Sequence, residues 1–147
     1  MVFKYDYENL LCINLSKVDR LEKVAVKDIE LVGNNHIIQY QGRVLPLLEP
    51  AAMIGLHDVS LKDHIEIYEK DHLEVIVVEY DSKKYGLVVY ELDEIKVTPE
   101  KINLDILSDG LEGTVYINGK TLSVLDLSFL VSLYSQKKKF KIGLDAA

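Results

Sequence analysis

The stretch "HIIQYQGRVLPLLEPAAMIGL", residues 36–56, has a counterpart 77 residues further along the chain, "GTVYINGKTLSVLDLSFLVSL" at 113–133. The two stretches align over 21 positions without a gap. Four positions are identical, as at Gly42 and Gly119, and most others keep their chemical character. Self-similarity at one spacing is typical of a duplicated structural unit. This stretch therefore predicts a fold that is built twice.

The segments upstream of the repeat correspond as well, because residues 2–24 resemble residues 75–97. In each half the pattern is strand, polar turn, strand, polar stretch, hairpin and short helix. The sequence predicts a single domain over 1–136 with two similar subdomains, at about 2–60 and 74–134. An exchange of strands between the subdomains is an open alternative.

Local patterns indicate mostly β structure. The segments "EVIVVEY" and "YGLVVYEL" are rich in β-branched residues and flank the polar turn "DSKK" at 81–84, which is typical of a hairpin. Asn118-Gly119 is a strong signal for a type I′ turn, and Gln41-Gly42 holds the matching place in the first half. We therefore expect an all-β fold with short helices.

Two short helices and one unusual proline complete the pattern. In "EPAAMIG", Pro50 fits a first helical turn and Gly55 the position after its end. Asp126 is a candidate N-cap for a helix in "LDLSFLVSLY". Pro46 interrupts the apolar run "RVLPLLE", although proline cannot donate a hydrogen bond to a central strand. We expect an edge or corner strand of a small barrel there.

The composition limits the class of protein. The chain has 147 residues, 48% of them hydrophobic, which suits one globular domain. Its net charge of −7 disfavours a nucleic-acid surface, so we expect no nucleic acid as a partner. The longest aliphatic runs are only a few residues, so we also expect no direct membrane insertion. The single cysteine, Cys12, fits a reducing compartment, and we expect a cytoplasmic protein. Residues 137–147 are expected to form a basic, solvated C-terminal tail.

No motif for catalysis or ligand binding is recognisable in the sequence. It contains no nucleophile elbow, no P-loop and no dinucleotide-binding glycine motif. Metal-ligand spacing is absent among the four histidines, which are His36, His57, His64 and His72. We therefore expect no enzymatic activity from this chain, no metal and no cofactor.

The order of four segments resembles the CheW-like domain of bacterial chemotaxis. They are "NLSKVDRLEKV", "IIQYQGRVLPLLEPAAMIGL", "VIVVEYDSKKYGLVVYELDEI" and "GTVYINGKTLSVLDL". The likeness covers about residues 2–134 and is closest in look to the C-terminal regulatory domain of the chemotaxis histidine kinase CheA. It implies two intertwined five-stranded β-barrels of SH3-like type. It also implies a non-catalytic scaffold that couples chemoreceptors to the kinase.

The resemblance further implies partners and binding residues. The expected partners are CheW or a CheA-type CheW-like domain, and the cytoplasmic tip of a chemoreceptor. The candidate protein-binding residues are Val18, Leu21, Val24, Gln41, Gly42 and Arg43. The first three would form an apolar patch rimmed by charge, or would instead face the core, and both alternatives stay open. The last three lie at a turn tip, where a partner could reach them.

Two residues depart from the family pattern. Most relatives have an arginine, implicated in receptor contact, where this chain has Gln41. Glutamine keeps hydrogen bonding but lacks the fixed charge, which weakens the expected contact. Most relatives also have an aspartate where this chain has Tyr90.

The resemblance leaves alternatives open. The chain could be a stand-alone CheW adaptor, or the regulatory domain of a histidine kinase whose catalytic domain is absent here. A small β-barrel that binds a ligand or nucleic acid is the rival from another class. Such a barrel needs basic and aromatic residues interleaved on one strand face, whereas the tyrosines here are dispersed and mostly have acidic neighbours.

Overall fold

A computed structural model of the chain describes residues 1–4, 10–33, 35–55, 65, 70–93, 111–117 and 120–146. The strands are β1 (Val2–Lys4), β2 (Leu10–Cys12), β3 (Val18–Ala25), β4 (Glu30–Val32), β5 (Asn35–Tyr40), β6 (Arg43–Leu48), β7 (His72–Tyr80), β8 (Lys83–Val89), β9 (Glu91–Asp93), β10 (Leu111–Ile117) and β11 (Lys120–Leu125). The α-helices are α1 (Pro50–Met53) and α2 (Leu127–Ala146). Single 3-10 turns cover Leu15–Lys17 and Val26–Asp28.

The strands form two sheets, and each sheet takes a hairpin from the other half of the chain. One sheet has the order β10-β11-β2-β1-β9, and the other has the order β3-β7-β8-β6-β5-β4. The N-terminal hairpin β1-β2 thus joins strands of the second half, while the hairpin β7-β8 joins strands of the first half. The link is parallel in both cases, β11 with β2 and β6 with β8. The repeat in the sequence is therefore visible as the same pairing pattern in both sheets.

The six-stranded sheet is curled. Its edge strands β3 and β4 are separated in sequence only by Val26–Ile29. A connection of this length reaches at most about 18 Å, whereas the edges of a flat six-stranded sheet lie about 24 Å apart. The sheet must therefore bend to bring its edges together, as in a small barrel. It has six strands rather than the expected five because the short β4 adds to β5 as an edge strand.

Among the described residues, three buried clusters form the core. One lies between the two sheets and α2, since it joins Phe3 of β1 with Ile76 of β7 and Leu130 of α2. A second fills the inside of the curled sheet and includes Val75 and Val77 of β7. A third, smaller cluster belongs to the five-stranded sheet. Because β7 is buried on both faces, its sequence is a continuous apolar run rather than an alternating one.

Two predicted hairpin turns are confirmed. Gln41 and Gly42 have φ of 50° and 76°, and Asp81 and Ser82 have φ of 53° and 65°. Positive φ at both central residues identifies type I′ turns, which match the twist of the flanking strands. The predicted turn at Asn118-Gly119 lies outside the described residues.

Pro46 occupies a strand position that needs no amide proton. Tyr40 and Arg43 form a hydrogen-bonded pair next to the two-residue turn. Hydrogen-bonded and non-hydrogen-bonded pairs alternate along an antiparallel ladder, so Ile37 and Pro46 are a non-hydrogen-bonded pair. The nitrogen of Pro46 therefore points away from β5, toward the side of β8. On that side β8 pairs with β6 only at Leu47 and Leu48. The prediction of an edge strand is thus confirmed for the first part of β6.

Both predicted helices are present, and the second is longer than expected. Pro50 is the first residue of α1, and Gly55 follows the helix with a φ of 79°. Asp126 caps α2, because its Oδ1 accepts a hydrogen bond from the Phe129 amide at 3.3 Å. The helix continues to Ala146 and so includes most of the segment expected as a tail. From Ser128 onward no proline interrupts the sequence, so nothing of that kind ends the helix earlier.

Candidate functional site

The three apolar residues predicted on β3 do not share one environment. Val24 is 7% exposed and belongs to the cluster inside the curled sheet, whereas Val18 packs against the cluster between the sheets. Leu21 is 45% exposed and pairs with the fully buried Ile76 across the strand. The structure therefore places Val18 and Val24 at the core and leaves only Leu21 open to a partner.

Charged residues and a bulge flank Leu21 along β3. The register between β3 and β7 shifts between Val18 and Arg20, which places Asp19 in a β-bulge. Two further charged residues follow, and Arg20 Nη1 lies 3.6 Å from Glu22 Oε1. Bulges and charges on an edge strand oppose pairing with another strand. Leu21 lies on the same face as Ile76 and the cluster between the sheets, whereas Arg20 and Glu22 lie on the opposite face of the strand. We name the strand segment 19–22 the β3 surface, which suits contact through side chains rather than through strand addition.

A groove opens beside the turn at Gln41 and Gly42. Its volume is about 790 Å³. The tips of the hairpins β5-β6 and β7-β8 form two of its walls, and α2 forms the third. The lining residues are Tyr40, Gln41, Arg43, Val44, Leu45, Pro46, Glu79, Ser82, Lys83, Lys84, Tyr85, Tyr134 and Ser135. We name this cavity the hairpin groove.

The hairpin groove exists because β6 and β8 diverge. The two strands are paired at Leu47 with Gly86 and at Leu48 with Leu87. No further β6–β8 pair is present in the described residues, so the strands separate toward their turns. Two aromatic rings close the floor, since Tyr85 and Tyr134 stand edge to face with ring centroids 6.0 Å apart. Burial raises the pKa of both phenols, and the two rings would be neutral at pH 7 without this shift as well.

The charges around the hairpin groove are mostly positive, although the whole chain carries −7. Arg43, Lys83 and Lys84 line it together with the single carboxylate of Glu79. Lys84 Nζ lies 3.1 Å from Asp19 Oδ2, so this ammonium is partly neutralised by the β3 surface. A second link is the Tyr40 hydroxyl, which donates to Glu22 at 3.4 Å. The β3 surface and the hairpin groove are therefore neighbours.

The sequence identified part of this site. The turn signal placed Gln41, Gly42 and Arg43 at a tip, and the structure gives Gln41 and Arg43 a place in the groove wall. Lys83 and Tyr134 were missed because they reach the groove only through the parallel pairing of β6 with β8 and the packing of α2. The polar turn "DSKK" was the one local signal that could have indicated Lys83.

The described residues show no centre for metal or covalent chemistry. No group of three or more histidine, cysteine or acidic side chains that could hold a metal ion occurs among them. Burial raises the pKa of Cys12 to about 11, which makes its thiol a poor nucleophile. Tyr90, the second departure from the family pattern, lies under Lys70, whose Nζ is 4.6 Å from the ring centroid. Within the described chain, no helix is long and apolar enough to cross a membrane.

Comparison with known proteins identifies the family. The chain matches the CheW-like domain over residues 1–135. Its structure is similar to that of the scaffolding protein TtCheW from Thermoanaerobacter tengcongensis, with a TM-score of 0.66 and 19% sequence identity. The similarity covers 88% of this chain and 85% of TtCheW. A comparison with curated protein sequences gives no significant match.

The family match extends over nearly the whole chain, and both sheets belong to it. CheW-like domains are non-catalytic scaffold modules, which confirms the prediction that this chain has no enzymatic activity of its own. The internal repeat, the two sheets and the match over residues 1–135 lead to the same assignment. The chain belongs to the CheW-like domain family.

Proposed function

We propose that the chain is a scaffold module of bacterial chemotaxis signalling that couples chemoreceptors to a histidine kinase. The observation that carries this proposal is the match to the CheW-like domain over residues 1–135. The partners proposed are CheW or a CheA-type CheW-like domain, and the cytoplasmic tip of a chemoreceptor. Both a stand-alone adaptor and a kinase regulatory domain are consistent with this role, and the cytoplasm is the compartment in which it would act.

The β3 surface supports the contact with a CheW-like partner. Leu21 is an exposed apolar side chain on an edge strand whose opposite face carries Arg20 and Glu22, and exposed apolar side chains are common contact points at protein interfaces. The turn at Gln41-Gly42 supports the contact with a receptor, because it stands at the mouth of the hairpin groove. Arg43 supplies a positive charge beside Gln41, where most relatives carry an arginine.

Calorimetric titration of the purified chain against a CheW protein and against a CheA regulatory domain tests the proposal. We expect Leu21→Glu to weaken binding at least about tenfold, because a charge would replace a central apolar contact. Tyr116→Glu is the control, since Tyr116 is 69% exposed on β10 of the other sheet. Failure of the chain to bind either partner at high micromolar concentration, or equal effects of both substitutions, would contradict this assignment.

A further inference from the structure

The hairpin groove opens where a proline interrupts a parallel ladder. β6 and β8 pair at Leu47 with Gly86. At this register, the next hydrogen bond toward the turns would join the nitrogen of Pro46 to the carbonyl of Lys84. Proline has no amide proton, so this bond cannot form. The gap between the two strands therefore begins at Pro46.

The gap leaves backbone groups on both strands without a partner strand. Gln39 and Val44 form a non-hydrogen-bonded pair across the hairpin β5-β6, so the amide and carbonyl of Val44 point toward the gap. Lys84 pairs with Glu79 in the same way, so its amide and carbonyl point toward the gap from β8. In the described part of the chain, no strand pairs with either residue from this side. The gap therefore offers amide donors and carbonyl acceptors on both of its sides.

One face of the gap is aromatic and apolar. The register of Leu47 with Gly86, continued toward the turns, places Pro46 level with Tyr85. Tyr85 belongs to the cluster between the sheets, so both side chains lie on that face. The Tyr134 ring of α2 stands edge to face with the Tyr85 ring and lines the same groove. A flat molecule in the gap would have its edge on the strands and one face on these side chains.

Charge favours no ionic ligand at the groove. Lys84 lies between two acids, since its Nζ is 3.1 Å from Asp19 Oδ2 and Glu79 is its register partner. Asp81 stands in the turn of the same hairpin, next to the lining residue Ser82. Among the described residues, the groove and its rim thus hold as many carboxylates as cations, namely Asp19, Glu79 and Asp81 with Arg43, Lys83 and Lys84. A neutral ligand is favoured there, because no net charge would compensate an ion for its lost hydration.

We propose that the hairpin groove binds a small, neutral, planar heterocycle that carries a hydrogen-bond donor next to an acceptor on one edge. That edge bonds to the carbonyl and amide of Val44, and one face of the ring packs against Tyr134 and Pro46. The groove volume of about 790 Å³ is within the range of small-molecule sites. This ligand site goes beyond the proposed scaffold function and does not depend on it.

NMR titration of the nitrogen-15-labelled chain tests the proposal at millimolar concentrations of 9-methyladenine, 1-methylcytosine and 2-aminopyrimidine. We expect saturable shifts of the Val44 and Lys84 amides with at least one of these probes. The derivative of that probe with a dimethylated amino group keeps the ring and the acceptor but lacks the donor, and should bind about fivefold more weakly or worse. Absence of shifts with every probe, or equal affinity of a probe and its dimethylated derivative, would overturn the proposal.

Variants separate the ring contribution from the backbone contribution. Tyr134→Leu should weaken the bound probe about threefold or more, whereas Tyr134→Phe keeps the ring and should leave its affinity unchanged. Tyr116→Leu is the matched control, because it removes a 69% exposed tyrosine from the other sheet. Equal affinities of Tyr134→Leu and Tyr116→Leu would place the probe outside the groove and end the proposal.

Val44→Pro removes the amide that faces the gap without touching the β5 ladder, and should weaken the probe about fivefold. The dimethylated probe gives an independent test of the backbone contact if this variant does not fold. Titration with a CheW-like partner separates this proposal from the scaffold function. Should the partner bind while no probe does, the ligand site fails and the scaffold function stands.

Discussion

Gly86 occupies a position where a side chain has no room. It lies on β8 between Val77 of β7 and Leu47 of β6, at the point where the parallel pairing begins. A Cβ atom there would be 2.8 Å from Val75 Cγ1 and 2.9 Å from Leu47 Cδ2. These distances are shorter than carbon atoms tolerate, so the glycine allows β6 and β8 to approach before they diverge into the hairpin groove.

We therefore expect Gly86→Ala to lower the free energy of unfolding by about 1–3 kcal/mol, because the added methyl group overpacks the core. Urea denaturation measures this change. In a Val75→Ala background the same substitution should have a smaller effect, since the closest carbon is gone. An unchanged stability of Gly86→Ala would show that the strands can separate freely at this point.

Cys12 is the second residue whose environment leads to a measurable prediction. Burial raises the pKa of its thiol to about 11, and its Sγ donates to the Ser123 carbonyl at 3.4 Å. In the unfolded chain the thiol titrates near pH 8.5. The unfolded state therefore loses its proton first, and stability should fall as the pH rises from about 8.5 to about 11. Cys12→Ala should show a shallower decline in denaturation experiments over this range, and equal slopes would contradict the assignment.

At the level of secondary structure, the turns carry identifiable strain. The turn of the hairpin β7-β8 has Asp81 and Ser82 at positive φ, and serine rarely adopts this conformation. Ser82→Gly would give the turn an Asp-Gly sequence, which is among the most favoured for type I′. We expect it to raise the free energy of unfolding by up to about 1 kcal/mol, as measured by thermal denaturation.

The hairpin β5-β6 provides the opposite control. Gly42 has a φ of 76° and no atoms within 4 Å of a Cβ position, so Gly42→Ala tests backbone strain without a steric clash. It should lower stability by about 1 kcal/mol. If both substitutions changed stability in the same direction, positive φ would not be the controlling factor in these turns.

An element can be predicted from the sequence when residues close together in the chain determine it. The hairpin turns at Gln41 and Asp81 were predicted because two central residues and their flanking strands determine them. The parallel pairing of Leu47 with Gly86 was not, because it joins residues far apart in sequence and depends on the packing of both halves. The hairpin groove results from that pairing, so only its turn residues could be found in advance.

At the scale of the whole molecule, the exchanged hairpins and the shared cluster between the sheets should make unfolding a single transition. Phe3 of β1 is fully buried in that cluster. We expect Phe3→Leu to lower the free energy of unfolding by about 1–2 kcal/mol. Native-state hydrogen exchange should then report an equal loss of opening free energy at the amides of Val124 in the five-stranded sheet and Val75 in the curled sheet.

Val44→Ala, at an exposed site, should change the opening free energy of neither amide by more than about 0.5 kcal/mol. A loss confined to Val124 would mean that the two sheets unfold independently despite their exchanged hairpins.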